Sequence, residues 1–170
     1  MYQNRRRLLL LAGLAAAAPV AARDPRRYEV LRRYLDADQE VREGLGLRRL
    51  RLGQPMALAR RLWGRPREIA ERRLFTASRW WAFRPDAATR VLLAGDERIE
   101  RMRFEGTPAS FFRTAQGARF GMPLAQVAAL YGVAGQTRGD ALLAYPERGV
   151  RFLFRRGLLA AFEIFPPRPR

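Results

Sequence analysis

Two stretches of this chain align without gaps at an offset of 68 positions. One is Leu52-Gly53-Gln54-Pro55-Met56-Ala57-Leu58-Ala59-Arg60-Arg61-Leu62-Trp63-Gly64; the other is Phe120-Gly121-Met122-Pro123-Leu124-Ala125-Gln126-Val127-Ala128-Ala129-Leu130-Tyr131-Gly132. Glycines close each at both ends, a proline follows the first glycine by two, and Trp63 stands where Tyr131 stands. Pro123 suits the first turn of a helix, where its missing N–H is no loss. Leu124, Val127, Ala128 and Tyr131 recur at i, i+3, i+4 and i+7, one face of a helix. Gly132 suits a left-handed C-cap. A helix this short is marginal alone, so its apolar face must be held by other elements.

After each predicted helix the period changes from 3.6 to 2. In the second copy Val150, Phe152 and Phe154 alternate with Arg151, Leu153 and Arg155. Arg156-Gly157 makes a turn, and Leu158 to Phe165 returns with Ala160, Phe162 and Ile164 on one side and Glu163 on the other. Asp140 to Tyr145 is the preceding strand, ended by Pro146. The first-copy counterparts are Arg79 to Phe83, Thr89 to Ala94 and Arg98 to Phe104, with Gly95-Asp96 as the hairpin turn. Pro66 to Leu74 reads as an extra short helix for which the second copy has no room. The predicted fold class is therefore α+β: two tandem units, each a helix plus a three-stranded antiparallel meander, with an N-terminal helix over about 25–37. One such unit buries too little to be secure alone, whereas two copies packed or paired edge to edge would be secure.

The predicted organisation is 1–22 export signal, 23–51 N-terminal helix and lead-in, 52–105 first unit, 106–119 connector, 120–165 second unit and 166–170 tail. Phe111-Phe112 makes the connector too apolar for a free linker. Pro166-Pro167-Arg168-Pro169-Arg170 reads as a frayed end. The signal rests on Arg5-Arg6-Arg7, the apolar run Leu8 to Ala18 and the small residues Val20-Ala21-Ala22 before Arg23. Asn4 to Leu9 resembles a twin-arginine signal; an ordinary Sec signal and an uncleaved anchor are the alternatives. The expected location is the periplasm.

Composition narrows the chemistry. The 170 residues include no Cys, no His and no Lys, so all 33 basic residues are Arg, set against 16 acids. Disulfides, thiolate and imidazole metal sites, and most nucleophile–base pairs are thereby excluded. Ser78 and Ser110 are the only serines. Asp96, Glu97 and Glu100 are the densest acids, but they sit in or beside a predicted hairpin turn, where acids are ordinary. The reading is a non-enzymatic protein with no cofactor and no metal.

The formal charge of +17 becomes +14 once residues 1–22, with three Arg and no acid, are removed. Such a charge attracts anionic surfaces. For an exported protein these are an acidic face of an envelope protein, lipid headgroups or lipopolysaccharide, rather than nucleic acid. Trp80-Trp81 falls on a predicted strand, where neighbours point to opposite faces. Either one of the pair faces a partner, or both are covered. The candidate binding surface is Trp80 and Trp81 with Arg60, Arg61, Arg79 and Arg84. The second copy has Ala128 and Ala129 where the first has Arg60 and Arg61, which suggests divided labour between the copies.

Gly121-Met122, Val127 and Gly132 lie where the SmpA/OmlA (BamE-like) family, the small lipoprotein of outer-membrane β-barrel assembly, carries its Gly-Met-Ser/Thr, Val and Leu-Gly pattern. About 45 residues of the second copy resemble that family, Tyr145 and the Gly157 turn included. Pro123 replaces the Ser/Thr, Tyr131 replaces the Leu, and the anchoring Cys is absent. A tandem pair is also similar to the β-lactamase inhibitor protein family, whose members are secreted and non-enzymatic. The resemblance implies the fold and a protein-binding role: a periplasmic accessory or scaffold protein, with an inhibitor of a periplasmic hydrolase or an anionic lipid or glycan module as alternatives. An inhibitor would carry an acid into a positive active site, for which Asp140 or Glu147 is available.

Overall fold

A computed structural model describes residues 39–73, 76–132, 136–137 and 141–168. The export signal and the predicted helix over 25–37 lie outside the described residues. The duplicated stretches form two eight-residue helices, α1 (Met56–Trp63) and α2 (Leu124–Tyr131). Pro55 and Pro123 precede them as extended N-cap residues, one position earlier than the first turn. Met56 and Ala59 of α1 are buried, as are Val127 and Tyr131 of α2. Leu124 and Ala128 pack half-buried beside them.

Gly64 (φ 80°, ψ −156°) and Gly132 (φ 85°, ψ 174°) end the helices. This is not the expected left-handed cap but the extended region at positive φ, which is essentially glycine-only. Each glycine N–H still bonds back into its helix, to Arg60 O and Ala128 O at 2.9 Å. The lead-ins match too. Gly53 N donates to Ile99 O at 2.7 Å and Ile99 N to Gln54 O at 2.9 Å; Gly121 N donates to Leu159 O and Leu159 N to Met122 O, both at 2.8 Å.

The strands do not form two three-stranded meanders. β2 (Arg67–Arg73), β3 (Thr76–Phe83), β4 (Thr89–Ala94), β5 (Arg101–Gly106), β7 (Gln136–Thr137), β8 (Leu142–Tyr145), β9 (Val150–Arg155) and β10 (Leu158–Ile164) make one eight-stranded antiparallel sheet in the order β2-β3-β4-β5-β10-β9-β8-β7. β1 (Glu40–Val41) pairs in parallel with β6 (Arg113–Thr114) apart from it. Two physical reasons account for the correction. The helix formers of Arg67 to Arg73 are overridden by a seven-residue ladder to β3, because helix propensity is a weak preference. Arg and Glu along this edge strand also discourage pairing with another chain. In addition, β5 pairs with β10, Phe104 opposite Phe162, and so merges the halves.

One core fills the helix side of the sheet across that seam. Phe104 and Phe162 stack with centroids 5.1 Å apart, and Phe120, at the start of the second repeat stretch, stacks on Phe162 at 5.2 Å. Each such buried ring contributes roughly 2 kcal/mol of transfer free energy. Phe112 of the connector is buried against Phe104, whereas Phe111 is exposed. The described tail is held rather than frayed: Arg168 N bonds Pro146 O at 3.0 Å.

Candidate binding face

Strand alternation sorts the side chains of the sheet into two sets. Phe83, Val91, Leu93, Met102, Phe104, Phe152, Phe162 and Ile164 face the helices. Trp80, Ala82, Leu92 and Ala94 form a separate apolar cluster on the far face. Arg101, Arg103 and Glu105 of β5, Arg151, Leu153 and Arg155 of β9, and Ala161 and Glu163 of β10 share that far face by the same alternation. The buried residues of α1 and α2 all belong to the helix-side core, and none joins the far-face cluster.

The six residues expected to form one surface are divided between the two sides. Trp81 is half-buried on the helix side, with the Arg60 guanidinium 5.6 Å from its ring centroid. Arg61 is exposed on α1. Arg79 follows Trp81 in facing the helices and pairs with Glu68 at 3.0 Å, both more than half exposed, so the pair stabilises little. Trp80 points the other way and is only 2% exposed. Arg84, just beyond β3, is exposed. Trp80 and Trp81 thus diverge as strand geometry requires.

What covers Trp80 is arginine. The guanidiniums of Arg101 and Arg103 lie 5.0 and 4.6 Å from its ring centroid, so the charged groups themselves shield the indole. Trp80 Nε1 is buried without a hydrogen-bond partner. Beside it, the register sets Arg103, Glu163 and Arg151 directly opposite one another on β5, β10 and β9. Glu163 is fully buried. It accepts from Arg103 Nε at 3.0 Å and Arg151 Nη2 at 2.8 Å, with Arg101 Nη1 at 4.0 Å. One register step on, Arg90 donates through Nε to Glu105 Oε2 at 2.8 Å, and its Nη2 reaches the same oxygen.

Two concavities flank this charged row. One of about 720 Å³ includes Arg101, Leu142, Ala144, Arg151 and Phe165 in its lining. The other, about 470 Å³, includes Arg84, Arg90, Arg103, Glu105, Leu153 and Arg155. Sequence reasoning placed Glu163 off the core side of its strand but missed Arg101, Arg103, Arg151 and Arg155. The available signal was that these arginines alternate with Met102, Phe104, Phe152 and Phe154.

On the helix side, the Tyr131 hydroxyl donates to Glu43 and sits 2.7 Å from Thr114 Oγ1, tying α2 to the segments carrying β1 and β6. Burial, then the neighbouring Glu43, pushes this phenol well above its ordinary range. Burial raises Tyr145 as well. Among the described residues no group of three or more acids is placed to hold a metal ion, and no helix is long and apolar enough to cross a membrane. Comparison of the chain with protein-family models, curated proteins and solved structures finds no match in any of the three.

Proposed function

We propose that this chain is an exported, non-enzymatic protein of the cell envelope that acts by binding, and that the far face of its sheet holds an acidic face of a partner protein. The observation that carries this reading is the pair Arg101 and Arg103 stacked on Trp80, on the face opposite α1 and α2. Arginine and tryptophan are each enriched in binding hot spots. The excess of 33 Arg over 16 acids fits an acidic partner. The resemblance of residues 121–132 to the SmpA/OmlA motif supports a periplasmic accessory or scaffold role, and Arg5 to Ala22 supports export.

Photo-cross-linking in cells of the native host tests the reading. A photoreactive side chain at Leu153, on the far face, should capture an acidic envelope protein, with yield falling as salt rises. The same group at Ala125, exposed on α2, should not capture it. Capture from Ala125 with none from Leu153 contradicts the assignment of the face.

A further inference from the structure

The charges of the far face are not all balanced in the same way. Glu163 answers Arg103 and Arg151, and Glu105 answers Arg90. Arg84 and Arg155 have no acidic partner among the described residues, and both line the 470 Å³ concavity. That concavity straddles the junction of the two halves. Arg84 lies just beyond β3 and Arg90 in β4, while Leu153 and Arg155 come from β9 across the β5–β10 seam. Its lining holds four arginines and one glutamate; Glu105 answers Arg90, and Glu163, shared with Arg151, answers Arg103, so Arg84 and Arg155 carry the two charges that no acid beside them answers among the described residues.

We infer that this seam concavity is the anion-binding site of the protein and that it takes two carboxylates from neighbouring acidic side chains of the partner, one on Arg84 and one on Arg155. The inference rests on the reading of the far face as the partner surface and names the chemistry recognised there. The guanidinium fork matches a carboxylate with two parallel N–H···O bonds. Two carboxylates balance the two remaining charges. Leu153 and Ala161 add apolar lining to the concavity. The paired Arg90 and Arg103 hold the walls, because their guanidiniums are already committed to Glu105 and Glu163.

The experiment uses the purified full chain at low salt, with tetraglutamate and, separately, inorganic phosphate as probes. Arginine Nε–H signals are followed by NMR, and melting temperatures confirm that each variant is folded. Tetraglutamate should shift the Arg84 and Arg155 signals. R84Q/R155Q should bind it at least tenfold more weakly. The charge-matched R51Q/R119Q, at exposed positions outside the concavity, should lose less than twofold. Equal weakening by the two double variants means attraction by net charge alone and overturns the site. Phosphate shifting those signals while tetraglutamate does not overturns the carboxylate assignment. Cross-linking from Leu153 serves as a separate control. If its yield persists undiminished in R84Q/R155Q, the two arginines are not what holds the partner, which overturns the site although the face reading stands. If the wild type captures nothing from Leu153, the face reading fails independently of the peptide titration.

Discussion

Arg103 and Glu163 stand directly opposite each other across the β5–β10 seam, Nε to Oε2 at 3.0 Å, with Arg103 7% exposed and Glu163 fully buried. Sixty residues separate them in the chain. The pair and its neighbour Arg151 lie on the face away from the hydrophobic core, where guanidiniums cover Trp80.

Replacing the carboxylate by an amide removes the negative charge that Arg103 and Arg151 share and turns an N–H2 toward one of them. Breaking a buried pair from one side typically costs 3–5 kcal/mol; with Arg151 able to turn toward water, Glu163→Gln is expected to lose about 2–3 kcal/mol. Urea denaturation at neutral pH measures it. A loss below about 0.5 kcal/mol would mean that the far-face ion cluster does not hold the seam.

The helix-ending glycines offer a paired test. A Cβ at Gly64 or Gly132 would meet nothing within 4 Å, so any penalty comes from the backbone alone. Both lie at positive φ with extended ψ. Gly64→Ala and Gly132→Ala should each destabilise by roughly 1–3 kcal/mol. Thermal unfolding of the two variants should give similar shifts, and no shift in either would contradict the glycine-only conformation.

Tyr131 links stability to alkaline pH. Its folded pKa lies above the unfolded value of 10.0. The folded state therefore keeps the proton when the unfolded chain releases it, and the stabilisation is present below pH 10 and falls as pH rises beyond it. Tyr145 contributes with the same sign. Tyr131→Phe should cost about 1–2 kcal/mol at pH 7, through the lost bonds to Glu43 and Thr114. It should also flatten the decline above pH 10. Denaturation curves at pH 7, 10 and 11 separate the two effects; a variant as steep as the wild type above pH 10 contradicts the assignment.

Export has its own readout. Arg5-Arg6-Arg7 before Leu8 to Ala18 leads us to expect a mature chain beginning near Arg23, outside the cytoplasm. N-terminal sequencing of the protein from the native host checks this. An intact Met1 in a cytoplasmic pool would rule it out, and unchanged export after Arg5 and Arg6 are replaced by Lys would leave Sec rather than twin-arginine transport.

The parts of the architecture written in the sequence are those fixed by local rules. The 68-residue offset locates both helices and their glycine ends, and the alternation at Val150 to Phe154 locates β9. β2 escaped because Arg67 to Arg73 carries helix-favouring residues, and only its ladder to β3 makes it a strand. Which of the two arrangements the copies adopt, packed or paired edge to edge, escaped because the pairing of Phe104 with Phe162 is non-local, and no turn residue announces it. The binding surface was half legible. The divergence of Trp80 and Trp81 follows from strand geometry, but the placing of Arg101 and Arg103 over Trp80 depends on the register of β3, β4 and β5.

The central claim is that the far face of the sheet holds an acidic partner, and one comparison of retention tests it most directly. The envelope protein captured from Leu153 is passed over immobilised wild type, Arg101→Gln and Arg119→Gln. Arg101 lies over Trp80 on the far face, and Arg119 is exposed in the connector before α2. With melting temperatures unchanged, Arg101→Gln should retain the partner at least tenfold more weakly, and Arg119→Gln should retain it as the wild type does. Equal retention by all three, or a loss confined to Arg119→Gln, would contradict the claim.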